Sequence, residues 1–104
     1  STSNFKIREK KMIGIVATLK IKEGSGPDFE AIASQLVEKV NANEDGVVYY
    51  DLYKEDDTTY VFLERYKDEE AHAAHGKTEY FRELGAQMGG FMAGAPEIKM
   101  LKSV

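Results

Sequence analysis

The sequence predicts an α+β fold of the ferredoxin-like type, in which two helices pack on one face of an antiparallel sheet. Three observations lead to this prediction. Apolar residues alternate near the start of the chain, an amphipathic helix follows, and two β-rich segments precede a second helical region and a last apolar run. Taken in order, these segments give the pattern β-α-β-β-α-β.

The first strand begins directly after Met12. Its apolar residues occupy every second position, which is the period of a strand with one buried face; they are Ile13, Ile15, Ala17, Leu19 and Ile21. Residues 24–26 (Gly-Ser-Gly) form a turn and lack the Lys-Ser/Thr ending of a phosphate-binding loop. Pro27 suits the first position of a helix, because its missing N–H would have no partner there.

The first helix has the clearest pattern in the chain. Its apolar residues follow the i, i+3, i+4 spacing that places them on one face; they are Phe29, Ile32, Ala33, Leu36, Val37 and Val40. Asn41, Asn43 and Gly46 are typical of a helix end. Two β-rich segments follow, residues 47–53 and 58–66, and the acidic residues between them predict a hairpin.

The second helical region begins near Asp68, whose side chain suits the N-cap position. Residues 76–78 (Gly-Lys-Thr) are a weak point, and the helical pattern resumes at Glu79 and continues to Met88. Residues 89–96 are rich in glycine and apolar residues, so we expect a pliable segment that could act as a lid. Residues 98–101 form the last predicted strand.

Length and composition limit the possible functions. The 104 residues suit one domain, predicted over residues 12–104, after a basic N-terminal arm (residues 1–11) that is loosely ordered unless a partner receives Phe5 and Ile7. The net charge of −4 argues against nucleic-acid binding, and no apolar run is long enough to span a membrane. The absence of cysteine excludes a thiolate nucleophile, and we expect a cytoplasmic protein.

The central hairpin predicts a homodimer. Residues of both parities are apolar or aromatic: Val48, Tyr50 and Leu52 on one side, and Val47, Tyr49 and Tyr53 on the other. A strand that is apolar on both faces is normally covered on both. Because the helices cover only one face of the sheet, we expect a second copy of the chain to cover the other.

Four segments together resemble the antibiotic biosynthesis monooxygenase family. They are the opening strand MIGIVATLKIKEG, the helix PDFEAIASQLVEKV, the segment EDGVVYYDLYKEDD and the strand–helix junction FLERYKDEEAHAAHGKTEYF. The resemblance extends over nearly the whole chain from Met12. It implies a dimeric α+β barrel, and several members of the family oxidise phenols or quinols with oxygen without a metal or a flavin.

The junction supplies the candidate catalytic residues. The family's strand carboxylate corresponds to Glu64 and its helix histidine to His75, while Tyr66 occupies the position of a family tryptophan. Glu64 would act as a base or orient His75, and His75 would accept a substrate proton. Two other interpretations remain open: Glu64 could form an ion pair with a nearby cation, and His75 could cap a broken helix through a backbone hydrogen bond.

Aromatic and methionine side chains supply candidate walls for a substrate pocket. Tyr50 and Tyr66 are suited to contact a quinone-like oxygen. An apolar wall is predicted from Phe81, Met88, Phe91 and Met92. His72 and His75 are spaced i, i+3, but two histidines do not make up a zinc site, so no metal is predicted and His72 is expected in solvent.

The sequence therefore favours a cofactor-independent monooxygenase acting on a small quinol or polyphenol. Two alternatives remain. One is an isomerase of a small, phosphorylated hydroxy-dione, for which Arg65, Lys77 and Arg82 would be the available cations. The other is a barrel that binds a small apolar ligand, for example in a stress response, without turnover. Haem degradation is disfavoured, because that branch of the family carries an asparagine where this chain offers only Thr18.

Overall fold

The computed structural model describes residues 10–104, which form four strands and three helices. The strands are β1 (Ile13–Lys20), β2 (Val47–Asp56), β3 (Thr59–Tyr66) and β4 (Glu97–Lys102), and the helices are α1 (Gly26–Asn43), α2 (Glu69–Gly76) and α3 (Glu79–Gly89). The strands form one antiparallel sheet in the order β2-β3-β1-β4. The predicted ferredoxin-like fold is confirmed. Most of the predicted N-terminal arm, with Phe5 and Ile7, lies outside the described residues.

The core lies between one face of the sheet and the helices. Strand β1 contributes its alternating apolar residues, and α1 contributes the side chains that its spacing predicted, so that Phe29, Leu36 and Val40 are fully buried. Helix α1 begins at Gly26, one residue earlier than expected, after a turn in which Gly24 adopts a positive φ of 81°. That conformation is accessible to glycine at little cost. The predicted pattern of burial is confirmed.

A β-bulge alters the predicted faces of strand β2. The pairing of β2 with β3 shifts between Val47 and Tyr49. As a result, Val47 packs against the core on the same side as Tyr50, while Val48 is exposed. The assignment of Val47 to the face of Tyr49 and Tyr53, and of Val48 to the face of Tyr50, was therefore wrong, because the extra residue of a bulge interrupts the alternation. Strand β2 also extends to Asp56, three residues beyond the predicted end.

The predicted weak point in the second helical region is a complete break between α2 and α3. The Asp68 carboxylate accepts a hydrogen bond from the Ala71 N–H at 2.8 Å and caps α2. The Thr78 hydroxyl oxygen accepts from the Phe81 N–H and caps α3, and the same hydroxyl donates to the His75 carbonyl at 2.9 Å. Such caps are typically worth about 1 kcal/mol each. They fix the position of His75 at the end of α2.

Backbone hydrogen bonds hold the segment after α3 in place, which argues against the lid hypothesis. The Lys22 N–H donates to the Phe91 carbonyl at 2.8 Å, and the Ala93 N–H donates to the Lys20 carbonyl at 2.9 Å. Met92 forms an isolated β-bridge with Ile21. Residues 91–93 therefore cannot move away without breaking backbone hydrogen bonds to the end of β1 and the loop after it.

The outer face of the sheet and strand β4 expose large apolar side chains. Tyr49, Tyr53 and Leu63 lie on the face opposite the helices, and Leu101 lies beside them on β4. All six residues of β4 are exposed. Within residues 10–104, no helix is both long enough and apolar enough to cross a membrane.

Gly46 provides a test of the packing that places α2. A Cβ atom at Gly46 would lie 2.5 Å from the Cβ and 3.6 Å from the Cα of Ala71. Because Ala71 cannot rotate away, we expect Gly46→Ala to lower the free energy of unfolding by about 1–3 kcal/mol, as measured by urea denaturation. The matched control is Gly89→Ala, since a Cβ there meets no atom of the described structure within 4 Å. Equal stability of the two variants would contradict this account.

Candidate active site

A cavity of about 240 Å³ lies between the inner face of the sheet and helices α2 and α3. Most of its wall is apolar, and alternate residues of β1 and three residues of α3 contribute to it. Six of the predicted site residues line it: Tyr50, Glu64, His75, Phe81, Met88 and Met92. A mostly apolar wall with a few polar groups is typical of a small-molecule site.

Tyr66 and Phe91 are the two predicted site residues that do not line this cavity. Tyr66 is fully buried behind the wall, where its hydroxyl donates to Glu64 and its ring centroid lies 5.5 Å from that of His75. Phe91 is half-buried and packs against the core. Tyr66 therefore contacts Glu64 and His75 and can influence a ligand through them.

Glu64 is a buried carboxylate on the inner face of β3. It is 7% exposed, and its Oε1 accepts a hydrogen bond from the Tyr66 hydroxyl at 2.6 Å. Burial raises the pKa of Glu64 to about 7; the Tyr66 hydrogen bond opposes this shift, and the negative charge of Glu44 adds to it. The predicted alternative, an ion pair with a nearby cation, was wrong, because the partner is a phenol. A carboxyl group with this pKa can donate or accept a proton near neutral pH.

His75 is the second buried polar group of the wall. Its Nδ1 lies 3.1 Å from both carboxylate oxygens of Glu44, at the end of α1. Burial lowers the pKa of His75, and the hydrogen bond and charge of Glu44 oppose that shift. Two hypotheses about His75 were wrong. Its ring is not oriented by Glu64, and its side chain does not cap a helix end, because Glu44 holds the ring. With Nδ1–H donated to Glu44, Nε2 is the nitrogen that remains for a ligand.

Tyr80 completes this arrangement from α3. Its hydroxyl donates a short hydrogen bond to Glu44 Oε2. Burial, together with the hydrogen bond to Glu44, raises the pKa of Tyr80 to about 12, so the phenol remains protonated and donates. The Glu44 carboxylate thus accepts hydrogen bonds from both α2 and α3, whose relative position it helps to fix.

His72 differs from the prediction that it lies in solvent. It is half-buried, lines the cavity and packs edge-on against Tyr66, with ring centroids 5.0 Å apart. Aromatic contacts of this kind stabilise buried rings. Among residues 10–104, no group of three or more His, Cys, Asp or Glu side chains could hold a metal ion.

A larger groove of about 520 Å³ lies between α1 and the edge strand β2. Two of its three charged side chains, Glu30 and Lys54, are already paired: the Tyr60 hydroxyl donates to Glu30, and the Lys54 Nζ lies 3.8 Å from Glu30 and 3.5 Å from Asp57. The smaller cavity brings two proton-transfer groups, Glu64 and His75, to an apolar space, and we therefore take it as the candidate active site.

Glu44 and Tyr80 are residues of the candidate site that the sequence analysis missed. One signal was present in the sequence for Glu44. It follows the C-terminal end of α1, where the last turn carries no basic residue and the helix dipole disfavours a negative charge. An acidic residue at such a position indicates a partner from elsewhere in the fold. For Tyr80, nothing in the helical pattern distinguished it from a packing residue.

Comparisons with known proteins agree with this fold. Residues 12–87 match the profile of the family described as "Antibiotic biosynthesis monooxygenase". A Bacillus subtilis protein that carries the name "Putative monooxygenase YcnE" is 34% identical over 89 residues, which cover 84% of this chain and 85% of that protein.

Solved structures are similar as well. The crystal structure of a "putative antibiotic biosynthesis monooxygenase" from Caulobacter crescentus is 43% identical, with a TM-score of 0.86 over 92% of each chain. A conserved protein from Methanosarcina mazei is 22% identical, with a TM-score of 0.85 over 92% of this chain and 96% of that one. At that level of identity the likeness shows the fold alone.

Proposed function

The chain belongs to the antibiotic biosynthesis monooxygenase family, and from this membership we propose that it oxidises a small quinol or polyphenol with molecular oxygen, without a metal or a flavin. The observation that carries the proposal is the apolar cavity in which Glu64 and His75 present two buried groups able to move protons. A neutral ring with two hydroxyl groups matches this combination of apolar wall and two polar contacts.

The reaction needs an electron-rich substrate and one proton acceptor. His75 Nε2 takes the proton from a ring hydroxyl, and the resulting phenolate gives electrons directly to oxygen. Overall, a quinol and one O₂ give a hydroxyquinone and one water, with all four electrons supplied by the substrate. Glu64 hydrogen-bonds a second ring oxygen and can return a proton to the leaving oxygen atom. The apolar wall keeps water from the charged intermediate.

Oxygen consumption with a panel of quinols and polyphenols tests the proposal. We expect uptake to saturate with substrate, with about one O₂ consumed for each hydroxyquinone formed, and the same mixtures to give no product under nitrogen. Tight binding of these compounds without oxygen uptake would instead support a non-catalytic ligand-binding barrel.

The structure gives little support to the isomerase of a phosphorylated dione. That substrate would need a cation at the cavity, and within the described structure neither lysine nor arginine lines it. Lys77 and Arg82 are exposed, and Arg65 lies on the outer face, where its Nε contacts the Met12 Sδ at 3.0 Å. A phosphorylated substrate converted without oxygen would nevertheless reverse this preference.

We further propose that the chain forms a homodimer through the outer face of the sheet. The exposed side chains of Tyr49, Tyr53 and Leu63 form an apolar surface there, and surfaces of this kind commonly mark protein–protein contacts.

Light scattering at micromolar concentration is expected to give twice the 11.7 kDa of one chain. Leu63→Glu should shift the mass toward the monomer, because it places a charge in the apolar surface that a second copy would bury. The matched control is Glu83→Lys, a charge change on the exposed side of α3. A monomeric mass for the unmodified chain would refute the dimer.

A further inference from the structure

Two separate spaces meet at the contact between His75 and Glu44. His75 lines the apolar cavity described above, whereas Glu44 lines a separate surface pocket of about 220 Å³ together with Asp45 and Thr78. Each residue lines only one of these two spaces. The side chains are 5% exposed for His75 and 12% exposed for Glu44. The pair therefore bridges the wall between the cavity and the outside of the protein.

We propose that Glu44 is a positioning residue that also gives the substrate proton its exit, from His75 to solvent in the surface pocket, by a path separate from the substrate cavity. The inference rests on the proposed function, because the proton comes from the hydroxyl group of the proposed quinol substrate. The fixed ring orientation and the second pocket are features of the fold and can be tested without a substrate.

The geometry allows a balanced transfer. The substrate O–H bond breaks and its proton binds His75 Nε2, while the Nδ1–H, 3.1 Å from both oxygens of Glu44, passes its proton to that carboxylate. Glu44 then releases the proton to water in the surface pocket. The transfer leaves His75 neutral with its proton on Nε2. When Nε2 later gives that proton to the oxygen intermediate and Nδ1 takes one from solvent through Glu44, the Nδ1–H tautomer is restored, so neither residue is consumed and no net proton is released.

Tyr80 keeps Glu44 in place for this role. Its hydroxyl donates to Oε2, one of the two oxygens that face His75. Glu44 thereby accepts two donors while it still reaches the surface pocket. A residue that served packing alone would not need a charge at this point, where burial disfavours one.

No other titratable group of the described structure forms a hydrogen bond with the ring of His75. Tyr50 and Tyr66 place their ring centroids 5.1 and 5.5 Å from that of His75, and burial raises the pKa of both phenols. His72 lies on the same helix, three residues earlier, and Glu64 bonds to Tyr66. Glu44 is therefore the only carboxylate of the described residues that bonds the ring of His75.

Nuclear magnetic resonance of the histidine rings tests the positioning role without turnover. In the unmodified protein we expect neutral His75 to carry its proton on Nδ1. In Glu44→Gln we expect the His75 pKa to fall, because the charge and hydrogen bond that raise it are weakened. The control is Glu38→Gln, which removes an exposed carboxylate of the same helix and should leave His75 unchanged. A proton on Nε2 in the unmodified protein would overturn the proposal.

Rescue by formate tests the exit. Glu44→Ala leaves a space that opens on the surface pocket, and sodium formate can restore a carboxylate there. We expect Glu44→Ala to lower kcat by about 10- to 100-fold, formate to recover at least several-fold of that loss, and equal sodium chloride to recover none. Formate should also move the His75 resonances of this variant back toward those of the unmodified protein.

The NMR measurement and the formate rescue together distinguish a failure of this inference from a failure of the proposed function. If no quinol is oxidised but formate restores the His75 resonances, the positioning role stands and the proposed reaction falls. If quinols are oxidised and Glu44→Gln matches the unmodified protein in kcat and in its pH profile, the proton exit is refuted. Formate should give no rescue in His75→Ala, because the group it would serve is missing.

Discussion

Replacement of His75 by alanine is expected to lower kcat/KM for quinol oxidation by about 100- to 10,000-fold, the usual contribution of a positioned acid–base group. The ring has one nitrogen held by Glu44 and the other available to the ligand, so its removal takes away the proton acceptor. Initial rates of oxygen uptake measure the effect, and circular dichroism verifies the fold.

His72 offers a matched comparison for this prediction. It is a histidine on the same helix and on the same cavity wall, but it is only half-buried and packs against Tyr66. We expect His72→Ala to alter KM more than kcat, with a total loss below about 10-fold, since it contributes contact area rather than proton transfer. Similar losses of kcat/KM in the two variants would show that His75 does not act as the proton acceptor.

The second large effect is a dependence of stability on pH that originates in Glu64. Its pKa of about 7 in the folded chain lies above the ordinary value of 4.5. Between these two values the folded state holds a proton that the unfolded state releases, so the free energy of unfolding falls as the pH rises. The shift corresponds to about 3 kcal/mol, lost progressively from near pH 4.5 to above pH 7.

Glu64→Gln isolates this contribution. The amide oxygen can still accept the Tyr66 hydroxyl, but the side chain does not ionise. We expect the variant to match the unmodified protein near pH 4.5 and to exceed its stability at pH 8 by up to about 3 kcal/mol, as measured by urea denaturation. The lowered pKa of His75 acts in the opposite direction but is present in both proteins, and it cancels in the difference. A difference that did not vary with pH would contradict the assignment.

Much of the fold could be predicted because its determinants are local. The alternation in β1 and the spacing in α1 set their buried faces, and Asp68 and Thr78 cap the helices that follow them. The exception was the start of β2, where a bulge moved Val47 to the core face. A bulge inserts a residue without changing the composition of the strand, so alternation alone cannot reveal it.

The candidate site was predictable only in part, for a related reason. Glu64 and His75 both reach the cavity, as the junction between β3 and α2 suggested, but each has a different partner from the one expected. Glu44 lies 31 residues before His75 and meets it only through the packing of α1 against the helical layer. Contacts of this kind depend on tertiary structure, which residue patterns within a segment do not encode.

The cavity wall divides into a well-buried part and an exposed part. Glu64 and His75 lie on β3 and α2, whereas Ile98 and Pro96 close the far side from the exposed strand β4 and the segment before it. Substitutions at Ile98 or Pro96 disturb few core contacts and should cost little stability. Homologues and engineered variants could therefore acquire new ligand preferences through this edge while Glu64 and His75 stay unchanged, which makes it the natural place to start in redesigning the cavity.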